Sequence, residues 1–596
     1  VPRLCSYRQY GQRATAQQHP KQKKKRAKLG ALFLLPAADV RNGRYSYFTM
    51  AWPSLIRRFF SSEQGAADHL IARWIVLRAL GLIYFSAFFS LVFQIRGLIG
   101  PNGILPAGAY LREIEQSFGL LGRIWFAPTL LWVASGPHML LAICWTGMAA
   151  AILVTFNLWP RLNLFACFVC FLAFVVAAQD FSGYQSDGML LEAGFIALFF
   201  APAGIRPGLG AAHPPSRASL FLLQWEWFRI YFESGMVKLL SGDEQWRHLT
   251  AMDEYYQNGP LPTWIGWYIQ HLPHWFHWSS ALATLAIELG IVWMLFLPRP
   301  CRLICWAIVT PWEAVVILTA NYTFLNYLVL TLGFLLLDDR FFLQWMPRRM
   351  EQPRQWLLHQ LPDDRLPDRL PDAGETPAAA AAPAEPSRSR MLGAVGLGAS
   401  CLLLSWVLYA TTAEMIHIPF RSFPVPMQPA EALAPFRIAN QYGLFAVMTR
   451  GRYEIEFQGS RDGRTWVSYP FRFKPQKIDQ APGIYAPYQP RFEWNLWFAS
   501  LGSWRQNPLV LETELRLLQS DPEVLALFRS DPFAGSPPLE VRAMLWQYWF
   551  TSLPQKRATG DWWRRELLGL YAPVLERQSD GKIGVAAMPG ELPEHD

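Results

Sequence analysis

A chain of 596 residues is too long for one ordinary domain. Its hydrophobic fraction of 52% and charged fraction of 17% both depart from soluble averages toward a membrane protein, and 27 Trp, 40 Phe and 21 Tyr supply rings of the kind that sit at bilayer interfaces. The net charge of +9 does not point to nucleic acid, because the basic residues gather at the N-terminus and in loops between apolar stretches, with no nucleic-acid module among them.

In chain order, residues 1–49 with their basic run KQKKKRAK form a doubtful extension, a basic tail or translated upstream sequence, and Met50 is the better start. Apolar stretches follow at about 74–95, 137–158, 162–179, 187–204, 219–240, 278–297, 302–319, 322–338 and 391–411. They predict an α-helical polytopic membrane domain over 50–350, with about nine spans once 391–411 is added. Loop charges give its orientation. With the N-terminus inside, Arg57, Arg58, Arg161, Arg206, Arg217, Arg299, Arg302 and the basic 339–390 segment fall in the cytoplasm. The other side holds 180–186 without Lys or Arg and 241–277 with Arg247 alone; the exception is 96–136, with Arg96, Arg112 and Arg123. An odd span count then leaves residues 412–596 outside.

The stretch 221–240, FLLQWEWFRIYFESGMVKLL, is long enough to cross a bilayer yet carries Glu226, Arg229, Glu233 and Lys238. At about 100° per residue the first three share one narrow helix stripe. A charge facing lipid is costly, so this stripe faces protein or a water-filled interior. Two readings stand: an ion-pair ladder that locks helix packing, or a polar cavity for a substrate, lipid head or proton path. Arg78 in the first span and Asp187 and Glu192 in the fourth carry the same cost, so they are expected to pair with one another or with Glu226 or Glu233. Lys238, near the outer end, either snorkels to the interface or, if desolvated, is a candidate base.

From Ser241 the chain turns polar, and Asp243, Trp246, Arg247, Pro260 and Pro262 mark an outer surface loop. His271, His274 and His277 recur every third residue, but Pro273 interrupts the helix that a metal site would need. They read as interfacial surface histidines, and no metal or other cofactor is expected. Cys167 and Cys170 form a CxxC inside an apolar run and read as small buried hydrophobes.

Residues 351–390 are Pro-, Ala- and charge-rich and read as a cytoplasmic linker before the last span. Beyond residue 411 the composition is that of a soluble domain, α+β or β-sandwich-like. RYEIEFQGS (452–460) and RTWVSYPFRF (464–473) alternate around an Asp462-Gly463 turn, FRIANQYGLFAV (436–447) predicts one or two further strands, and VRAMLWQYWF (541–550) a last one. RFEWNLWFASLG and LETELRLLQSDPEVLALFRS predict helices. Arg491 and Glu493 with the rings of Trp494, Trp497, Trp562 and Trp563 are candidates for a partner-binding surface over the core. The chain contains no G-x-S-x-G, P-loop, dinucleotide fingerprint or HExxH, which removes the motif-based support for an enzyme.

From about residue 70 onward the chain resembles the lipase maturation factor family. The likeness is carried by QIRGLIGPNGILPA (94–107), SDGMLLEAGFIALFFAP (186–202), SGMVKLLSGDEQWRHLTAM (234–252), NGPLPTWIGWYIQHLP (258–273), NYTFLNYLVLTLGFLLLDD (321–339), YGLFAVMTRGRYEIEFQGSRDGRTW (442–466), YAPYQPRFEWNLWFASL (485–501), YWFTS (548–552) and WWRRELLGLYAP (562–573). Tyr488 stands where the family pattern has His, and the linker is longer than the family's. The resemblance implies a membrane protein that assists folding, assembly or maturation of exported clients such as lipases, chaperone-like, a role for which no covalent chemistry is required. It places the C-terminal domain in the endoplasmic reticulum lumen of eukaryotic relatives, or in the periplasm from a bacterial inner membrane. Membrane lipids and an exported client are the implied partners. A fainter likeness, on FESGMVKL, is to the membrane core of vitamin K-dependent carboxylase; it implies the alternative of a membrane enzyme using Lys238 on a lipid-, quinone- or polypeptide-like substrate.

Overall fold

The computed structural model describes residues 54–346, 355, 358 and 387–591. The N-terminal extension 1–49 and nearly all of the 351–390 linker lie outside the described residues. Each predicted apolar stretch folds as a helix: α1 (Leu70–Val92), α2 (Pro137–Thr155), α3 (Pro160–Ala177), α4 (Gln185–Phe200), α5 (Arg217–Leu240), α6 (His274–Leu289), α7 (Arg299–Thr319), α8 (Leu325–Gly333) and α9 (Ser387–His417). Six are long and apolar enough to cross a membrane: α1, α2, α3, α6 with its 3-10 continuation to Phe296, α7 and α9. The other three differ for physical reasons. Helix α4 has 16 residues, α8 has nine, and α5 is long enough at 24 but carries the charges noted above.

The helices pack in sequence, α1 on α2, α2 on α3, α3 on α4, α4 on α5 and α5 on α6, around one apolar core. Helix α9 stands at the edge, with Val395 64% and Leu402 65% exposed.

The C-terminal domain is α+β, built on one antiparallel six-stranded sheet. Its strands are β1 (Arg452–Ser460), β2 (Trp466–Ser468), β3 (Glu540–Phe550), β4 (Trp563–Leu570), β5 (Val574–Arg577) and β6 (Ile583–Ala587), in the order β2-β1-β3-β5-β6 with β4 also on β3. Helix α10 (Arg491–Ser500) packs on β1, and α11 (Pro508–Leu518) on β3 and β5. Two expectations are corrected. The 464–473 strand shrinks to Trp466–Ser468, and 436–447 forms no strand. Strand β4 was not foreseen, because WRRELLGL lacks an apolar alternation; its Arg564 and Arg565 instead lie 4.4 and 4.1 Å over the Trp549 and Trp546 rings of β3.

Candidate functional site

The charged stripe of α5 faces inward, toward a peptide from the C-terminal domain. Ser216 caps the helix, accepting from Ser219 N, and Arg229 lies fully buried halfway along. Arg229 Nη2 donates to Glu192 Oε1 of α4; Nη1 lies 3.6 Å from Glu233 Oε1 and donates to Asn440 O at 2.7 Å. The remaining carboxylate oxygens take backbone donors of the same peptide: Glu192 Oε2 accepts Asn440 N at 3.0 Å, and Glu233 Oε2 accepts Tyr442 N at 2.6 Å. Gly188 is what lets Asn440 in, since a Cβ there would stand 2.7 Å from Asn440 Oδ1.

This contact explains why 436–447 is not a strand. Buried peptide groups need partners, and here side chains of distant helices and loops supply them. Gln185 accepts Gly443 N at 2.9 Å, Ser234 donates to Leu444 O at 3.4 Å, and Trp246 Nε1 donates to Phe445 O at 2.8 Å. Asp243 accepts Met448 N at 3.1 Å and Asn258 donates to Thr449 O at 2.8 Å. The outer-loop residues Asp243 and Trp246 therefore hold the C-terminal domain, while Arg247 is exposed. Pro260 and Pro262 are buried: Pro260 O accepts Arg452 Nη2 at 3.2 Å, and Pro262 bridges to Ala320.

A second segment, 483–491, is held in the same way. Asn321 donates to Gly483 O at 2.9 Å and accepts Tyr485 N at 2.7 Å; Tyr327 donates to Ala486 O at 3.1 Å, Ser86 to Pro487 O at 3.0 Å and Gln94 to Gln489 O at 2.9 Å. Tyr488 accepts from Gln94 at 3.2 Å. Arg491 closes the segment with a bidentate pair to Asp187 at 2.7 and 2.8 Å, and donates to Phe181 O at 2.8 Å.

The expected pairings are thus partly replaced. Asp187 takes its cation from the C-terminal domain, Glu192 takes Arg229, and Arg78 and Glu226 join neither pair. Both Glu226 oxygens are buried without a hydrogen-bond partner, so Glu226 is no rung of a ladder. Lys238 does not snorkel. Its Nζ is buried, 2.5 and 2.6 Å from Glu288 of α6 and 2.9 Å from Ser234 Oγ, with the Trp246 ring 5.1 Å away. Gly235 permits that approach, as a Cβ would meet Leu289 at 2.8 Å. Glu288, and Glu313 accepting from Tyr231 at 2.8 Å, are each a carboxyl inside an apolar span, the same sequence signal that marks α5.

The proposed partner surface also turns inward. Arg491, Glu493, Trp494, Trp497 and Trp563 are buried, and Trp562 is half-buried against Trp267 with centroids 5.1 Å apart. Trp497 Nε1 donates to Asn258 O at 3.1 Å, so these rings clamp the outer loop. Glu493 accepts the backbone N–H groups of Arg472, Phe473 and Lys474 at 2.9, 2.8 and 2.6 Å, yet burial still pushes its carboxyl up to about 7. Nor are the three histidines all at the surface. His271 lies between Trp267 O (2.7 Å) and Thr551 O (2.9 Å), His274 faces Asp253 at 3.0 Å, and His277 is buried beside Tyr256. The one amine proposed as a base is neutralised, which gives the carboxylase-like reading no geometric support. What the arrangement does is fasten a soluble domain to a helical one through buried charge.

Two family models match the chain: a lipase maturation factor transmembrane domain over residues 71–344 and a lipase maturation factor C-terminal domain over 438–573. The second begins at the clasped peptide. Among curated relatives, lipase maturation factor 2 of Gallus gallus is 30% identical, covering 88% of this chain and 83% of its own. Lipase maturation factor 1 of Bos taurus is 30% identical over 86% and 90%, and that of Homo sapiens 30% over 85% and 88%. No solved structure matches.

Proposed function

The chain belongs to the lipase maturation factor family, and from that premise we propose that it helps an exported client, a lipase, reach its folded and assembled state without covalent chemistry of its own. The observation that carries this reading is the fastening: Arg491 with Asp187, and the clasp on 440–449, lock the C-terminal domain to the membrane bundle as one platform. A holding function needs only a surface that prefers the immature client over the mature one. The platform lies on the exported side, periplasmic in a bacterium. Supporting that side, Arg73, Arg161, Arg217 and Arg299 all sit at the helix ends away from the C-terminal domain.

The test is the activity per molecule of lipase secreted by the host with this gene deleted, then restored as wild type or as the double variant Lys238→Met, Glu288→Leu. The double variant removes the buried amine without stranding its partner. Deletion is expected to lower specific activity, and both versions to restore it. Rescue by wild type alone, with the double variant at equal level in the membrane, would overturn the reading in favour of chemistry at Lys238.

A further inference from the structure

Arg78 is a buried cation with no acidic partner among the described residues. It is nine-tenths buried on α1; its Nη1 donates to Trp74 O at 3.1 Å, its guanidinium lies 4.7 Å over the Trp74 ring, and its Nε and Nη2 have no hydrogen-bond partner. Among the described residues it forms no ion pair. Its neighbourhood adds positive charge. Arg73, buried five residues earlier on the same helix, donates to Leu209 O at 2.6 Å, Gly210 O at 2.9 Å and His213 O at 2.7 Å. Arg161 Nε donates to Ala201 O at 2.7 Å. The nearby acid Asp339 accepts Leu70 N and Ile71 N at 3.1 and 2.8 Å and forms no ion pair with these arginines among the described residues. Three arginines therefore gather at one end of the bundle with carbonyls as their acceptors.

The helix surface beside them is apolar and open. Leu82, one turn along α1 from Arg78, is 57% exposed on an apolar spanning helix. An arginine at such a depth without a counter-charge is costly, and the planar guanidinium fork matches a phosphate with two parallel donors. Basic pockets between spanning helices are where anionic headgroups bind. We propose that Arg78, flanked by Arg73 and Arg161, binds the phosphate of an anionic phospholipid in the leaflet away from the C-terminal domain.

The experiment uses the full chain, purified and delipidated in an uncharged detergent. Thermal unfolding is followed with added phosphatidylglycerol, phosphatidylcholine or inorganic phosphate, and retained lipid is counted by native mass spectrometry. Phosphatidylglycerol is expected to raise the unfolding temperature and to stay bound, and phosphatidylcholine to do neither. Arg78→Gln and Arg161→Gln should each weaken phosphatidylglycerol binding by roughly fivefold to tenfold. The exposed Arg161 decides the matter should Arg78→Gln fail to fold. Equal protection by phosphatidylcholine, or variants that retain phosphatidylglycerol as wild type does, would overturn the site. Protection by inorganic phosphate as complete as by phosphatidylglycerol would overturn the lipid and leave a free anion as the ligand.

Discussion

Helices α5 and α9 are both long enough to cross a bilayer, and composition ranks them the wrong way round for importance. Helix α9 satisfies the apolar criterion and stands at the edge, largely exposed. Helix α5 fails that criterion and lies at the centre, with Arg229 and Glu233 fully buried. The difference is where each finds its partners. A lipid-facing helix needs only apolar side chains, whereas a helix enclosed by protein accommodates charges if its neighbours answer them.

The strongest way to break this contrast is Arg229→Met. It strands Glu192 and Glu233 in the interior, and a loss of about 3–5 kcal/mol is expected, seen as a collapse of the thermal unfolding transition in detergent. Lys238→Met should cost a similar amount, since it leaves Glu288 buried and alone. Adding Glu288→Leu should recover most of that loss, because an ion pair replaced whole by apolar groups is near neutral; non-additive stabilities of the two single variants and the double are the readout.

The same rule extends to the soluble domain. Glu514 of α11 is buried with both oxygens lacking a hydrogen-bond partner, and burial holds its carboxyl well above the usual range. The folded state therefore keeps a proton that the unfolded chain releases above about pH 4.3. The associated stability is fully present below that value and falls as pH rises toward the folded pKa, by at most about 1.4 kcal/mol per pH unit. Glu514→Gln should flatten this dependence, measured as unfolding temperature between pH 5 and 8. The smallest effect is expected on α9, where Leu402→Ala at an exposed site should stay within about 0.5 kcal/mol of wild type.

Much of this was legible in the sequence. The inward stripe of α5 follows from three charges at helical spacing, and β1 and β3 from their alternation and aromatic content. The helices α10 and α11 follow from their periodicity. The clasped peptide was not legible. FRIANQYGLFAV has the composition of a strand, and its partners are Gln185, Glu192 and Glu233, more than 200 positions away and joined only by the fold. The rings of Trp494, Trp497 and Trp563 misled for a related reason. Aromatic excess marks either a surface or a core, and here the core includes a loop from the other domain. Arg78 misled in the opposite sense: a buried arginine calls for an acid, and the described residues do not provide one.

Asp187 and Arg491 are 304 residues apart in the chain. During synthesis at roughly 5–20 residues per second, α4 is made roughly 15–60 s before its cation exists. For that interval Asp187 has no Arg491, and Glu192 and Glu233 await the peptide that will donate to them. The membrane half of this protein is consequently an immature intermediate until its own C-terminal domain is made and docks. This member of the lipase maturation factor family thus has a late assembly step of its own.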